Sequence, residues 1–181
     1  MKTLNLPIAL LMSLFLFSSC ELLEDQLDAL EIKTSLIHEE SVSAPASYDQ
    51  NVVLRHEVNI SLDNNTSLEG KFDQIETIEV SKMTVEFADF SGDANSKVNM
   101  KIVFDGVELA DLKDVLLLDS SLNSQVYELG SPEILSLLAD RILEDKSADL
   151  ELIMAVSTGQ YDADFDLKLS VQIKTSVLNL I

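Results

Sequence analysis

The chain has 181 residues, of which 12 are basic and 32 acidic, giving a formal charge of −20 at pH 7. A surface this acidic repels nucleic acid, because binding nucleic acid depends on Lys and Arg neutralising phosphates. The single cysteine excludes an intramolecular disulfide, and the five glycines form no phosphate-binding Gly-rich loop. The composition therefore indicates an acidic protein that does not bind nucleic acid.

The first twenty residues have the three parts of a secretory leader. Lys2 gives a positive start, an apolar run follows from Leu4 to Phe17, and small residues precede Cys20. The run is shorter than the roughly 20 apolar residues that a permanent membrane helix requires. We therefore predict that residues 1–19 are a signal peptide.

The residues Phe17-Ser18-Ser19-Cys20 resemble the lipobox of bacterial lipoproteins, although Phe17 stands where that family usually has Leu. The resemblance implies lipidation of Cys20, with palmitate among the acyl chains, and a mature chain that begins at Cys20. Glu21, in place of the Asp common at the inner membrane, implies the outer membrane. Two or more acyl chains anchor a protein stably. The alternative is an ordinary secretory leader with an incidental cysteine.

Residues 20–29 form a lipidated acidic tether, which spans only about 30 Å when fully extended. Residues 30–181 are then predicted to form a single domain. Apolar and polar residues alternate from Leu30 and again over 52–62, which predicts two strands. Capping-box spacing and apolar residues at helical spacing predict a short helix at about 67–76.

The middle of the chain continues the period-two pattern. Residues 76–90 change parity near Ser81-Lys82, which predicts a β-bulge. Residues 98–104 alternate regularly and run into Asp105-Gly106, a dipeptide that favours a two-residue hairpin turn with positive φ at both positions. We therefore predict another pair of strands here.

The clearest helix covers about 132–145. Ser131-Pro132 provides an N-cap residue and a proline at the first helical position, and an apolar stripe follows. After it, residues 150–156 and 165–177 alternate strictly. Strands of this number with one clear helix predict a mainly β fold, an antiparallel two-layer β-sandwich. A sheet with helices packed on one face is the alternative.

The sequence offers little catalytic apparatus. It has no G-x-S-x-G motif, and its two histidines, His38 and His56, lie in predicted strands among charged residues, which is typical of exposed sheet positions. A zinc site would require both histidines to converge with a carboxylate. We therefore predict no catalytic residues and no enzymatic activity.

Asp162, Asp164 and Asp166 are the most specific polar cluster. Alternate residues of a strand point the same way, so their carboxylates are expected to share one face and are a candidate Ca²⁺ site. A solvated acidic face is the preferred interpretation. Tyr161, beside them at a hairpin tip, is expected to be partly packed, and an exposed contact residue is the alternative. Apart from Ca²⁺ we predict no cofactor.

Three functions follow in order of preference. The first is a membrane-anchored, non-enzymatic binding or accessory module of the cell envelope, held by its lipid, with an envelope protein or glycan as partner. The second is a carrier of a hydrophobic ligand, with an apolar pocket under the helix at 132–145. The third is an enzyme of unrecognised type.

Overall fold

The computed structural model describes residues 30–47 and 50–177, which form a mainly β fold. The predicted leader and tether, residues 1–29, lie outside the described residues. No helix within the described ranges is long and apolar enough to cross a membrane. The described strands are β1 Leu30–Ala44, β2 Val52–Ser61, β3 Ile75–Ser91, β4 Lys97–Phe104, β5 Val107–Leu116, β6 Val126–Leu129, β7 Ser147–Ser157 and β8 Ala163–Val177.

These strands make two four-stranded antiparallel sheets. The first sheet has the order β1-β8-β3-β6 and the second the order β2-β7-β4-β5. Each of the first four strands pairs with its counterpart counted from the other end of the chain: β1 with β8, β2 with β7, β3 with β6 and β4 with β5. The chain thus folds as one long hairpin wrapped into a sandwich, which is the jelly-roll arrangement. The predicted antiparallel β-sandwich is confirmed.

The core lies between the sheets, on the faces that the alternation predicted. Every second residue of β7 and β8 is buried, and the intervening residues point outward. These inward side chains include Leu150, Leu152, Met154, Val156, Phe165, Leu167, Leu169, Val171 and Ile173. Apolar residues on one face and polar residues on the other are expected of antiparallel sheets packed on one side.

Two predicted irregularities are present. The pairing of β3 with β8 shifts register between Val80 and Lys82, at the predicted bulge. Asp105 and Gly106 have φ of 51° and 77° between β4 and β5, as a type I′ hairpin requires. Local sequence therefore determines both features.

The helical predictions have mixed outcomes. The long helix is present as α2, Pro132–Asp145, after a six-residue helix α1, Leu117–Leu122. The short α-helix predicted at about 67–76 is wrong: the segment contains 3-10 turns at Thr66–Leu68 and Phe72–Gln74. Gly70 separates them with φ of 73°, a left-handed conformation that interrupts a right-handed helix.

The sandwich has two ends, which we call the entry end and the far end. At the entry end β1 begins, with Leu30 opposite Val177 of β8. At the far end β1 finishes, with Ala44 opposite Ala163. β1 and β2 are the edge strands on the same side of the two sheets, and they contact each other there.

Candidate functional site at the far end

A concavity with a volume of about 550 Å³ lies at the far end of the sandwich. Parts of three connections form it: Ser47 and Gln50-Asn51 between β1 and β2, the β3–β4 turn and the β7–β8 turn. The lining residues are small or polar, and none of those described is basic. They are Ser47, Gln50, Asn51, Asp93, Asn95, Ser96, Ser157 and Gly159. We call this concavity the far-end cleft.

Hydrogen bonds from Thr158 hold one wall of the cleft. Its hydroxyl, fully buried, accepts from the backbone N–H of Ser47 at 2.8 Å and donates to the Pro45 carbonyl at 3.0 Å. Ser47 also forms a β-bridge with Gly159. These contacts attach the β1–β2 segment to the β7–β8 turn, so the wall is fixed by residues distant in sequence.

Asp93 shapes the opposite wall. Its carboxylate accepts from the backbone N–H of Asn95 at 2.9 Å, an Asx turn that closes the β3–β4 connection. Gly159 has φ of 66°, and a Cβ there would lie 3.0 Å from an Asp93 carboxylate oxygen. Gly159 therefore allows the two turns to approach closely.

The cleft presents amides, hydroxyls and one carboxylate, which suit a polar ligand without negative charge. Ser96 is 2% exposed, and its Oγ has no hydrogen-bond partner in the protein. A buried hydroxyl without a partner costs free energy. The arrangement can donate and accept hydrogen bonds, but among its described residues it holds no nucleophile with a neighbouring base.

Tyr161 lies in the β7–β8 turn at the same end and is 64% exposed. The preferred prediction of partial packing is therefore wrong, and the ring is largely exposed. Its neighbour Asp162 accepts a hydrogen bond from the backbone N–H of Ala46 at 2.7 Å. Asp162 thus fixes the turn that carries Tyr161.

The three aspartates do not all share one strand face. Asp162 precedes β8, whereas Asp164 and Asp166 lie on its outer face. Asp166 accepts from Ser41 Oγ at 2.6 Å, which engages one of its oxygens. Within the described ranges, no group of three or more His, Cys, Asp or Glu is arranged as a ready metal site. The Ca²⁺ site stays a prediction without support from this geometry.

The two histidines converge with a carboxylate, between β1 and β2. His56 Nδ1 lies 3.0 Å and His38 Nε2 3.8 Å from the same oxygen of Glu40, Oε2. All three residues share the inward parity of their strands and are 21–29% exposed in their side chains. The interpretation as exposed sheet positions is therefore wrong for both histidines. We call these three residues the edge cluster.

Ion pairs on the outer faces account for many of the basic groups. Lys168 pairs with Glu39 and Lys174 with Glu31, and each carboxylate raises the pKa of its lysine. Lys174 in turn lowers the pKa of Glu31. Because acids greatly outnumber bases, these pairs leave most of the negative charge uncompensated.

Helix α2 packs directly against the sandwich. Leu138 and Ile142, on its inner face, are fully buried against the core. The groove beside the helix holds about 370 Å³ and includes Glu79 and Asp140 in its lining. An open groove with two carboxylates does not suit a purely apolar ligand.

No family model and no curated protein matches the sequence. Among solved structures, the decameric BFDV capsid protein aligns with a TM-score of 0.45 and 8% identity, over 81% of this chain and 99% of that chain. Tobacco necrosis virus aligns with a TM-score of 0.37 and 10% identity, over 82% and 98% of the two chains. The assignment of the jelly roll rests on the strand order described above.

Proposed function

We propose that this protein is a lipid-anchored lipoprotein of the cell envelope, favouring the outer membrane, and acts as a non-catalytic binding module. The observation that carries the proposal is the leader that ends in Phe17-Ser18-Ser19-Cys20. The leader contains Lys2 and no acidic residue, so the charge of the mature chain is at least as negative as that of the whole. The lipid therefore provides an attachment that an acidic surface cannot make to anionic headgroups.

The fold supports an orientation for the binding site. The tether joins the domain at Leu30, and β1 then runs 15 residues to the far end. At about 3.3 Å per residue, this separates the far-end cleft from the attachment point by roughly 50 Å. The cleft thus faces away from the anchoring membrane, toward ligands in the surrounding compartment.

The chemistry of the cleft suits an uncharged, hydroxyl-rich ligand, and we propose a neutral glycan. Sugar hydroxyls donate to a carboxylate such as Asp93 and exchange hydrogen bonds with amides such as Asn51 and Asn95. Tyr161 offers an exposed ring for the apolar face of a sugar. The absence of basic residues from the described lining argues against an anionic ligand.

Radiolabelled palmitate tests the anchor. The wild-type protein should incorporate label, and Cys20→Ser should lose it and leave the membrane fraction. Ser19→Ala is the matched control, because it keeps a small residue before the cysteine and should still be labelled. Persistent labelling of Cys20→Ser would overturn the proposed anchor.

An array of neutral and anionic glycans tests the cleft. The protein should bind neutral glycans, and Asp93→Asn and Tyr161→Ala should each weaken binding by about tenfold, equivalent to the loss of roughly one good contact. Ile37→Ala, on the exposed outer face of β1, is the control and should bind as wild type. Binding that none of the cleft variants changes would contradict the proposal, and so would an array without bound glycans.

A further inference from the structure

The edge cluster places three metal-binding side chains at inward positions of two edge strands. His38 and Glu40 belong to β1 and lie opposite Leu169 and Leu167, which are fully buried in β8. His56 belongs to β2 and lies opposite the buried Leu152 of β7. Ionisable groups at inward positions are costly unless they have partners.

The partners within the protein are incomplete. Glu40 Oε2 and His56 Nδ1 share a hydrogen bond. Glu40 Oε1 and His38 Nε2, however, are both buried and have no hydrogen-bond partner in the protein. The cluster thus contains one hydrogen-bonded pair of atoms and two further buried atoms, Glu40 Oε1 and His38 Nε2, that have no hydrogen-bond partner.

We propose that His38, Glu40 and His56 bind a divalent transition metal ion, with Zn²⁺ as the representative ion. Zn²⁺ takes imidazole nitrogen and carboxylate oxygen at about 2.0–2.2 Å in tetrahedral geometry, which places neighbouring ligand atoms roughly 3.3 Å apart. The observed separations from Glu40 Oε2, 3.0 Å and 3.8 Å, lie on either side of this value. The three side chains are not arranged to hold an ion as they stand. Binding therefore requires them to rotate, and the contact between His56 Nδ1 and Glu40 must give way to bonds from both residues and from His38 Nε2 to the metal.

Ligand type selects the metal. Two imidazoles favour Zn²⁺ and its neighbours in the first transition row, whereas Ca²⁺ and Mg²⁺ require more oxygen ligands than the cluster offers. Three protein ligands leave the fourth position for water. Because two ligands come from β1 and one from β2, the bound ion joins the first sheet to the second at their common edge.

Histidine-ring NMR of the full chain, solubilised in detergent and without a histidine tag, tests the site directly. His38 and His56 are the only histidines of the sequence, so ¹⁵N-histidine labelling reports both rings without interference. One equivalent of Zn²⁺ should shift the signals of both rings, and Ca²⁺ at the same concentration should shift neither. At about 100 times the dissociation constant, Zn²⁺ should also raise the unfolding midpoint by roughly 5–10 °C.

Variants separate metal binding from a merely structural role. Glu40→Gln keeps the shape of the side chain and removes its charge, and it should weaken Zn²⁺ binding at least tenfold. His56→Ala should abolish the Zn²⁺ shift at His38. Glu57→Gln, an exposed position on β2, is the matched control and should bind Zn²⁺ as the wild type does.

Three results would overturn the site. Zn²⁺ uptake without a shift at either ring would assign binding to surface carboxylates. A shift at one ring alone would mean that the histidines do not act together. Equal Zn²⁺ affinity in Glu40→Gln and Glu57→Gln would show that Glu40 is not a ligand. The inward-pointing polar side chains would then serve only to discourage edge-to-edge pairing between copies of the chain.

Discussion

The two edges of the first sheet are closed in different ways. Beyond β3, the short β6 and the two helices complete an apolar core, with Leu117, Leu138 and Ile142 fully buried. At the β1 edge, His38 and Glu40 of the edge cluster occupy inward positions between the buried Leu36 and Val42. One edge is thus held by apolar packing, which is insensitive to metal ions. The other combines apolar packing with polar contacts among His38, Glu40 and His56.

The largest expected effect lies at the packed edge. Leu138→Ala removes a fully buried side chain from α2 and leaves a cavity against the core. We expect the free energy of unfolding to fall by about 2–5 kcal/mol, measured by urea denaturation. Leu137→Ala is the matched control, because Leu137 is 52% exposed on the same helix, and it should change stability by less than about 0.5 kcal/mol. Equal losses in both variants would show that α2 does not seal this edge.

A smaller effect is expected at the polar edge. Glu40→Ala removes the acceptor of the hydrogen bond from His56 and leaves both histidines without their carboxylate. We expect a loss of about 1–2 kcal/mol in urea denaturation with a chelator present. Glu57→Ala, exposed on β2, should change stability much less. An unchanged or increased stability in Glu40→Ala would mean that burying the carboxylate costs more than its contacts return.

Regular and irregular segments of the chain differ in how well the sequence predicts their structure. The strict alternation of β7 and β8 and the Ser131-Pro132 start of α2 are local signals, and each is confirmed. The hairpin predicted at Asp105-Gly106 implies a strand after it, and β5 is present there. The rest of the segment 107–131 gave no prediction of α1 or β6. Its pattern is broken because β5 carries two register shifts against β4 and Asp114 has φ of 53°. Bulges of this kind change which residues point inward and hide the period of two.

The sequence allows only part of the edge cluster to be predicted. His38 and Glu40 share the parity of Leu36 and Val42, so their inward orientation could have been inferred from the alternation. Their meeting with His56 could not, because it requires β1 and β2 to be edges on the same side of two different sheets. The far-end cleft has the same origin, since three turns distant in sequence form it.

The smallest effect concerns the outer surface of the polar edge. The ion pair between Lys168 and Glu39 joins β8 to β1 at 2.9 Å, and it raises the pKa of Lys168. A raised lysine pKa contributes stability that is fully present below the pKa of the unfolded state, about 10.4, and is lost as the pH rises through the higher folded value. Both side chains are well exposed, so solvent screens most of this contribution. Lys168→Gln should therefore unfold at nearly the wild-type urea midpoint at pH 7, and the slight difference should vanish in 1 M salt. A large difference that persisted in salt would show that ion pairs on the outer face hold β1 to its sheet. The edge cluster would then contribute less than these ion pairs to the stability of the β1 edge.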